Sequence, residues 1–283
     1  MSVQNVDKIP ALSPDGYYKR RKISKVSAMK RFGNSRVDTS LFIYNKFGLT
    51  IYLLVYVDDL ILTENNDDFL INVISQLANK FSIKYLVTLS FFLGIEVVTA
   101  PSGLFLSQTR YIQTLLERAK IQDAKSVHSR MSTSQIPKLH DGTLHHALFL
   151  HKDSPLRLHA YSNADWASNP NDRSSTSAHV VFLGPNVISC SSKKQKFIAR
   201  FSTKAEYRVV SSTTVEVLWI KSLLLELSID VRSALPTYYD NVGVTYLCDN
   251  PIFHLCMKHI AFNFHFVRHK VQDGELHVSY FFR

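Results

Sequence analysis

Two adjacent aspartates, Asp58 and Asp59, interrupt a run of β-branched, aromatic and aliphatic residues that extends from Leu49 to Leu62. Neighbouring carboxylates repel one another and are costly to bury, so such a run accommodates them only at a turn. The spacing therefore predicts a hairpin with the pair at its tip, one strand over residues 49–57 and its partner resuming at 60–62. A preceding strand over 41–44 is set off by Asn45-Lys46-Phe47-Gly48, residue types that suit a turn. The pair itself has two readings. It is an exposed turn, or it is a seat for a divalent cation such as Mg²⁺, which prefers hard carboxylate oxygens.

Downstream, Leu70, Val73, Ile74, Leu77, Ala78 and Phe81 recur at helical spacing. Asn65 or Asn66 can cap that helix, and Asp67 and Asp68 suit the positive end of its dipole. A hairpin is expected from a strand over 91–98, a turn at Pro101-Ser102-Gly103 and a strand over 104–106. A second helix over 108–120 would bury Tyr111, Ile112, Leu115, Leu116 and Ala119. Residues 122–155, rich in Ser, His, Lys and Asp, read as a linker. Strands follow over 156–166, 178–183 and 187–190, then a long helix over 203–227, a short strand over 237–239 and a helix after Asn241. Strands first, then alternating helix and strand, predict an α+β or mixed α/β fold, a mixed sheet with flanking helices.

At 283 residues the chain can form two modest domains. Its formal charge of +10 is shared between both halves, which fits an extended polyanionic partner or plain solubility. Residues 1–36 stand apart. Lys19-Arg20-Arg21-Lys22, Lys25, Lys30, Arg31 and Arg36 occur there with no acidic residue after Tyr17, so a disordered basic arm is expected, a phosphate-binding tail, an import signal or a solvated extension. Cys190, Cys248 and Cys256 form no CxxC pair, and the N-terminus has no apolar signal segment. The chain is therefore expected to be intracellular, cytoplasmic or nuclear, and not secreted. Its longest apolar runs are too short to cross a bilayer, so no membrane role is expected. His254, His259, His265 and His269 have no zinc-finger spacing and read as structural or surface histidines.

Larger motifs add to this reading. Ser40-Leu41-Phe42, Tyr52-Leu53-Leu54-Val55-Tyr56-Val57-Asp58-Asp59, Phe92-Leu93-Gly94-Ile95-Glu96-Val97, Gly103-Leu104-Phe105-Leu106-Ser107-Gln108 and Met131-Ser132-Thr133 resemble the reverse transcriptase palm of copia-type retrotransposons. Tyr161-Ser162-Asn163-Ala164-Asp165-Trp166, Ser191-Ser192-Lys193-Lys194-Gln195, Ala205-Glu206-Tyr207-Arg208, Asp240-Asn241 and Lys258-His259-Ile260 resemble the ribonuclease H domain of the same family. The resemblance implies a basic arm (1–36), a partial palm (37–135), a linker or deletion junction (136–155) and a C-terminally truncated ribonuclease H-like domain (156–283). It also implies that Asp58, Asp59, Glu206 and Asp240 are catalytic ligands of Mg²⁺, and that the partner is an RNA–DNA hybrid or an RNA or DNA template.

Some of the family's parts have no counterpart here. The upstream palm aspartate has no match, and the first ribonuclease H aspartate falls at Asn163. The fourth belongs to a segment beyond Arg283, and the thumb would separate Thr143 from Ala147. The chain is thus expected to be a rearranged polymerase–ribonuclease H fragment, catalytically impaired or inactive. The alternatives are a non-catalytic hybrid-binding protein, or a retroelement relic with no selected role. Asp165 shares the face of Asn163 but lies about 6.6 Å further along the strand, too far to replace it. Thr203-Lys204-Ala205-Glu206 also fits a capping box, and Asp240 could cap the next helix. Lys193, Lys194, Gln195, Lys196 and Arg200 would either follow a hybrid backbone or form a solvated loop.

Overall fold

The structure, a computed structural model, describes residues 2–7, 32–46, 48–56, 59–64, 73–75, 84–86, 89–121, 147–231, 234–241, 243, 246 and 261–281. It divides into two compact units, Met1–Lys152 and Asp153–Arg283.

The first unit contains strands β1 (Ser2–Asp7), β2 (Gly33–Asn34), β3 (Leu41–Lys46), β4 (Leu49–Tyr56), β5 (Asp59–Glu64) and β6 (Lys84–Leu86). They form one antiparallel sheet in the order β2-β3-β4-β5-β1-β6. The β4–β5 hairpin closes with Tyr56 opposite Asp59, where the aspartate pair demands a turn. Strand alternation gathers Ile51, Leu53 and Val55 on one face, where Phe42, Leu62 and Val73 complete a buried cluster. Of the helix expected around 70–81, residues 73–75 are described and are helical; the rest lies outside the described residues.

Of the arm expected over 1–36, residues 2–7 form a strand instead. β1 pairs with β5 from Ser2↔Glu64 to Val6↔Leu60, and with β6 along its other edge. Its sequence, SVQNVD, has no apolar stripe. A strand recruited through backbone hydrogen bonds to an open edge leaves little trace in a side-chain pattern. The basic cluster over 19–31 lies outside the described residues.

A second sheet, in the order β10-β9-β8-β7, contains β7 (Phe91–Phe92), β8 (Ile95–Ala100), β9 (Gly103–Ser107) and β10 (Ala147–His151). The single strand expected over 91–98 is instead a tight hairpin, with Phe92 opposite Ile95. Leu93 and Gly94 both have positive φ, 51° and 84°, the left-handed pair that a two-residue hairpin turn requires. Leucine is not a turn signal, so the sequence hid this reversal. Residues 147–151, assigned to the linker, are a strand on the edge of β9, with the Phe105 and Phe149 ring centroids 4.5 Å apart. The helix α1 (Thr109–Ala119) forms where its periodicity predicts, yet none of its residues is buried, and Tyr111 is 53% exposed. An amphipathic pattern reports a face fit for burial, not the presence of a partner.

The second unit contains β11 (Leu158–Asp165), β12 (Thr176–Leu183), β13 (Asn186–Lys194), α2 (Ser202–Glu226), β14 (Leu235–Tyr239), α3 (Ala261–Gln272) and β15 (Leu276–Tyr280). The sheet order is β13-β12-β11-β14-β15, with antiparallel pairing from β13 to β11 and parallel pairing from β11 to β15. This is the mixed sheet that the element order predicts. Leu158, Ala160, Ser162 and Ala164 turn inward. Leu158 and Ala160 join Tyr207, Val210, Val217, Ile220 and Leu224 of α2 and Phe264 and Val267 of α3 in one core. Thr213 and Thr214 enter it because their hydroxyls donate to the carbonyls of Val209 and Val210, each at 2.8 Å.

Gly184, in the β12–β13 turn, has φ +59°, and a Cβ there would lie 2.3 Å from the Pro155 carbonyl oxygen. Gly184→Ala is expected to destabilise the second unit by roughly 2 kcal/mol or more. Chemical denaturation reads this as a lower midpoint; an unchanged midpoint would mean that the turn yields freely.

Candidate active site

Parallel pairing of β11 and β14 brings their C-terminal ends side by side, the last matched pair being Ser162 and Tyr239. Asn163 and Asp240 each follow by one residue, and both line a cleft of about 250 Å³ together with Tyr161, Tyr238 and Phe281. The first turns of α2 pack close to the inner face of β11 because the residues in contact are small: Ala164, Ala199, Ala205 and Val209 form a cluster of their own.

That approach delivers Glu206 to the end of β11. Its side chain is only 6% exposed, and its Oε2 accepts a hydrogen bond from the Ala164 backbone N–H at 3.0 Å. The capping-box role is therefore not the one adopted. The helix N-cap is Phe201, without a side-chain cap bond, and the Glu206 carboxylate reaches across to the strand instead. Burial raises the Glu206 carboxyl to about 7; the negative charge of Asp240 adds to the rise, and the Ala164 N–H partly opposes it. The Gly243 N–H donates to Asn241 Oδ1 at 2.9 Å. Asn163 and Asp240 thus share one cleft, and the Asp240 charge acts on Glu206, while Asp165 is exposed at the strand end. Among the described residues, no three or more His, Cys, Asp or Glu side chains cluster as a metal site would require.

The basic stretch is not one loop. Lys193 and Lys194 are the last residues of β13, and both are exposed. The Lys194 ammonium is held by Asp172 at 2.6 Å. That contact, followed by hydrogen bonds from the Ser174 N–H and hydroxyl, lowers the Asp172 carboxyl to about 2. Lys193, Lys194, Gln195 and Lys196 line a second cleft, of about 450 Å³, with Arg208 and Glu216 of α2; Arg200 is exposed outside that lining. Gln195 acts as a brace. Its Nε2 donates to Ser177 Oγ at 2.9 Å and to the Ala205 carbonyl at 3.0 Å, tying the sheet to the helix. In the first unit, Asp59 opens β5 and its Oδ2 accepts the Leu93 N–H at 3.3 Å, whereas Asp58 lies outside the described residues.

Residues 8–133 match the family model described as reverse transcriptase (RNA-dependent DNA polymerase). An uncharacterized mitochondrial protein of Arabidopsis thaliana, AtMg00810, is 33% identical over 60% of this chain and 94% of its own length. The retrovirus-related Pol polyproteins from transposons RE2 and RE1 of the same plant are each 40% identical over 87% of this chain. The chain belongs to the copia-type retrotransposon Pol polyprotein family. It spans about a fifth (21%) of the length of those two Pol polyproteins. Two solved structures resemble it loosely. One is a foamy viral protease-reverse transcriptase in complex with double-stranded DNA, 11% identical over 99% of this chain and 57% of that one, at a TM-score of 0.42. The other is LC11-RNase H1, 14% identical over 45% of this chain and 86% of that one, at 0.35.

In this Pol-family chain, then, a stretch that matches the reverse transcriptase model precedes a second unit built on a mixed five-stranded sheet, the mixed α+β architecture that the element order implies. No helix among the described residues is long and apolar enough to cross a membrane. Sequence reasoning placed Arg208 and Trp166 within the family motifs but gave neither a role of its own. The Arg208 guanidinium donates to the Phe197 carbonyl at 2.7 Å, and Trp166 Nε1 donates to the Ala199 carbonyl at 2.9 Å. A signal for Arg208 was available, since it lies four and eight residues before Ser212 and Glu216 on one helix flank. None existed for Trp166, whose partner is 33 residues away.

Proposed function

We propose that the second unit grips nucleic acid, an RNA–DNA hybrid above all, without cleaving it, and that the chain works inside the cell, in cytoplasm or nucleus. The observation that carries this reading is the neutral Asn163 lining one cleft with Asp240, whose charge acts on Glu206. Two-metal phosphodiester chemistry needs a nest of anionic oxygens that holds ions roughly 3.5–4 Å apart. The donors here are hard oxygens of the type Mg²⁺ accepts. Only two of them are carboxylates, and one already serves a backbone N–H. The set does not fit paired ions, and no chemical step is assigned to it. Glu206 and Asp240 are ancestral metal ligands in this reading, as are Asp58 and Asp59 for polymerisation. Binding falls to the basic rim of Lys193, Lys196 and Arg208.

The test is a labelled RNA–DNA hybrid with Mg²⁺ or Mn²⁺. Salt-sensitive binding without cutting is expected. Each phosphate contact removed, as in Lys193→Ala or Lys196→Ala, should reduce the log–log salt slope by roughly 0.9. Cutting by the chain as it stands, abolished by Glu206→Ala, would overturn the reading. The exposed apolar face of α1 favours a second reading, a relic that has lost a packing partner. Failure of the purified chain to bind hybrid at any salt concentration would favour that one.

A further inference from the structure

We infer that the segment joining β13 to α2 is a stacking platform for the unpaired bases of single-stranded nucleic acid, with Phe197 and Phe201 as its two rings. This rests on the nucleic-acid reading of the same unit and extends it to residues that reading does not use. Residues 193–204 contain Lys193, Lys194, Lys196, Arg200 and Lys204 and no acidic residue. Among these cations Phe197 is 72% exposed and Phe201 62% exposed. Rings so open are a cost to a monomer surface and mark a place of contact.

The platform is built rather than slack. Ala199, midway between the rings, is buried against Ala164, Ala205 and Val209, and its carbonyl accepts the Trp166 indole N–H. At the platform's start the Gln195 N–H donates to the Ser175 carbonyl at 2.8 Å and Arg208 holds the Phe197 carbonyl, and at its end the Phe201 carbonyl accepts the Lys204 N–H at 3.1 Å. With the middle residue turned in and pinned, its flanking rings are left outside. Each also lies beneath a cation: the Arg208 guanidinium is 5.8 Å from the Phe197 centroid and the Lys204 ammonium 5.4 Å from that of Phe201.

Phosphates meet the cations and flat bases meet the rings, a combination that tolerates any sequence. Duplex bases hide their faces in the stack, so a ring of this kind serves a single strand or a frayed end. An anionic membrane also attracts basic, aromatic segments. Here, though, inserting the rings into lipid would drag the two ring-bound cations in with them, so a nucleic-acid strand is the better fit.

The experiment titrates the full chain with labelled oligouridylate, oligothymidylate and an RNA–DNA hybrid. Phe197→Leu and Phe201→Leu keep the surface apolar but remove the stacking faces. Each should weaken single-strand binding at least about fivefold and leave hybrid binding unchanged. Phe197→Trp should bind single strands as well as the native chain, with indole fluorescence quenched on binding. Single-strand affinity indifferent to both leucine variants, with no quench, would overturn the platform while leaving the hybrid reading intact. So would capture by anionic phospholipid vesicles that the leucine variants retain and single strands do not compete away. Loss of hybrid binding alone would count against the proposed function and not against the platform.

Discussion

Asn163→Asp is expected to convert a unit indifferent to divalent metal into one stabilised by it. The replacement sets a third carboxylate at the end of β11, where Asp240 already raises the Glu206 carboxyl. Without metal, like-charge repulsion should lower stability by about 1–2 kcal/mol. With Mg²⁺ or Mn²⁺ at roughly ten times its dissociation constant, binding to the folded state should return about 1.4 kcal/mol. Thermal unfolding with and without metal measures both effects. Asn163→Ala is the control, since it loses the amide without adding charge and should remain metal-indifferent. Equal metal stabilisation of the native chain and the aspartate variant would show that Asn163 is no impediment, and the non-cleaving reading would lose its basis.

How much of this could be read beforehand depends on how local the cause is. The β4–β5 hairpin was legible because two adjacent charges inside an apolar run admit only a turn. The strands β11, β12 and β13 and the helix α2 were legible for a related reason, since alternation and helical periodicity are written into each segment itself. The reversal at Leu93-Gly94 was not, because the left-handed leucine carries no signature in its side chain. Neither was β1, a polar segment held by the backbone of β5, nor β10, which pairs across a long sequence separation. The exposure of α1 was hidden for the opposite reason: its pattern promised a buried face, and none of its residues is buried.

At the site, residue types alone suggested a helix cap for Glu206. Only the family motifs singled it out with Asn163 and Asp240; in the fold Asp240 shares a cleft with Asn163 and acts electrostatically on Glu206. The Asp172–Lys194 pair escaped notice because pairing of exposed charges between a loop and the end of another strand is a matter of tertiary register. The same holds for the bracing of Gln195 between Ser177 and Ala205. Patterns of polarity tell which face of an element is wet, not which of its polar atoms will meet.

The stability of the native chain should itself depend on pH through Glu206. Its carboxyl ordinarily titrates at 4.5, and in the fold burial and then Asp240 raise this to about 7. A raised value means that the folded state holds the proton more tightly than the unfolded chain does. The resulting stabilisation is complete below about pH 4.5 and is lost as pH rises toward 7; above that, the fold carries a buried charge at a cost on the order of 3 kcal/mol. Glu206→Gln keeps an oxygen for the Ala164 N–H and removes the charge. It should leave stability unchanged near pH ~4 and raise it by roughly 2–3 kcal/mol near pH ~8.5, a rise of about 5–10 °C in unfolding temperature for a unit of this size. Asp240→Asn removes only the second cause, so it should move the falling limb to lower pH without abolishing it. Superimposable unfolding profiles for Glu206→Gln and the native chain above pH ~8 would mean that the carboxylate reaches solvent, and that the approach of α2 to β11 is looser than the 3.0 Å hydrogen bond between them requires.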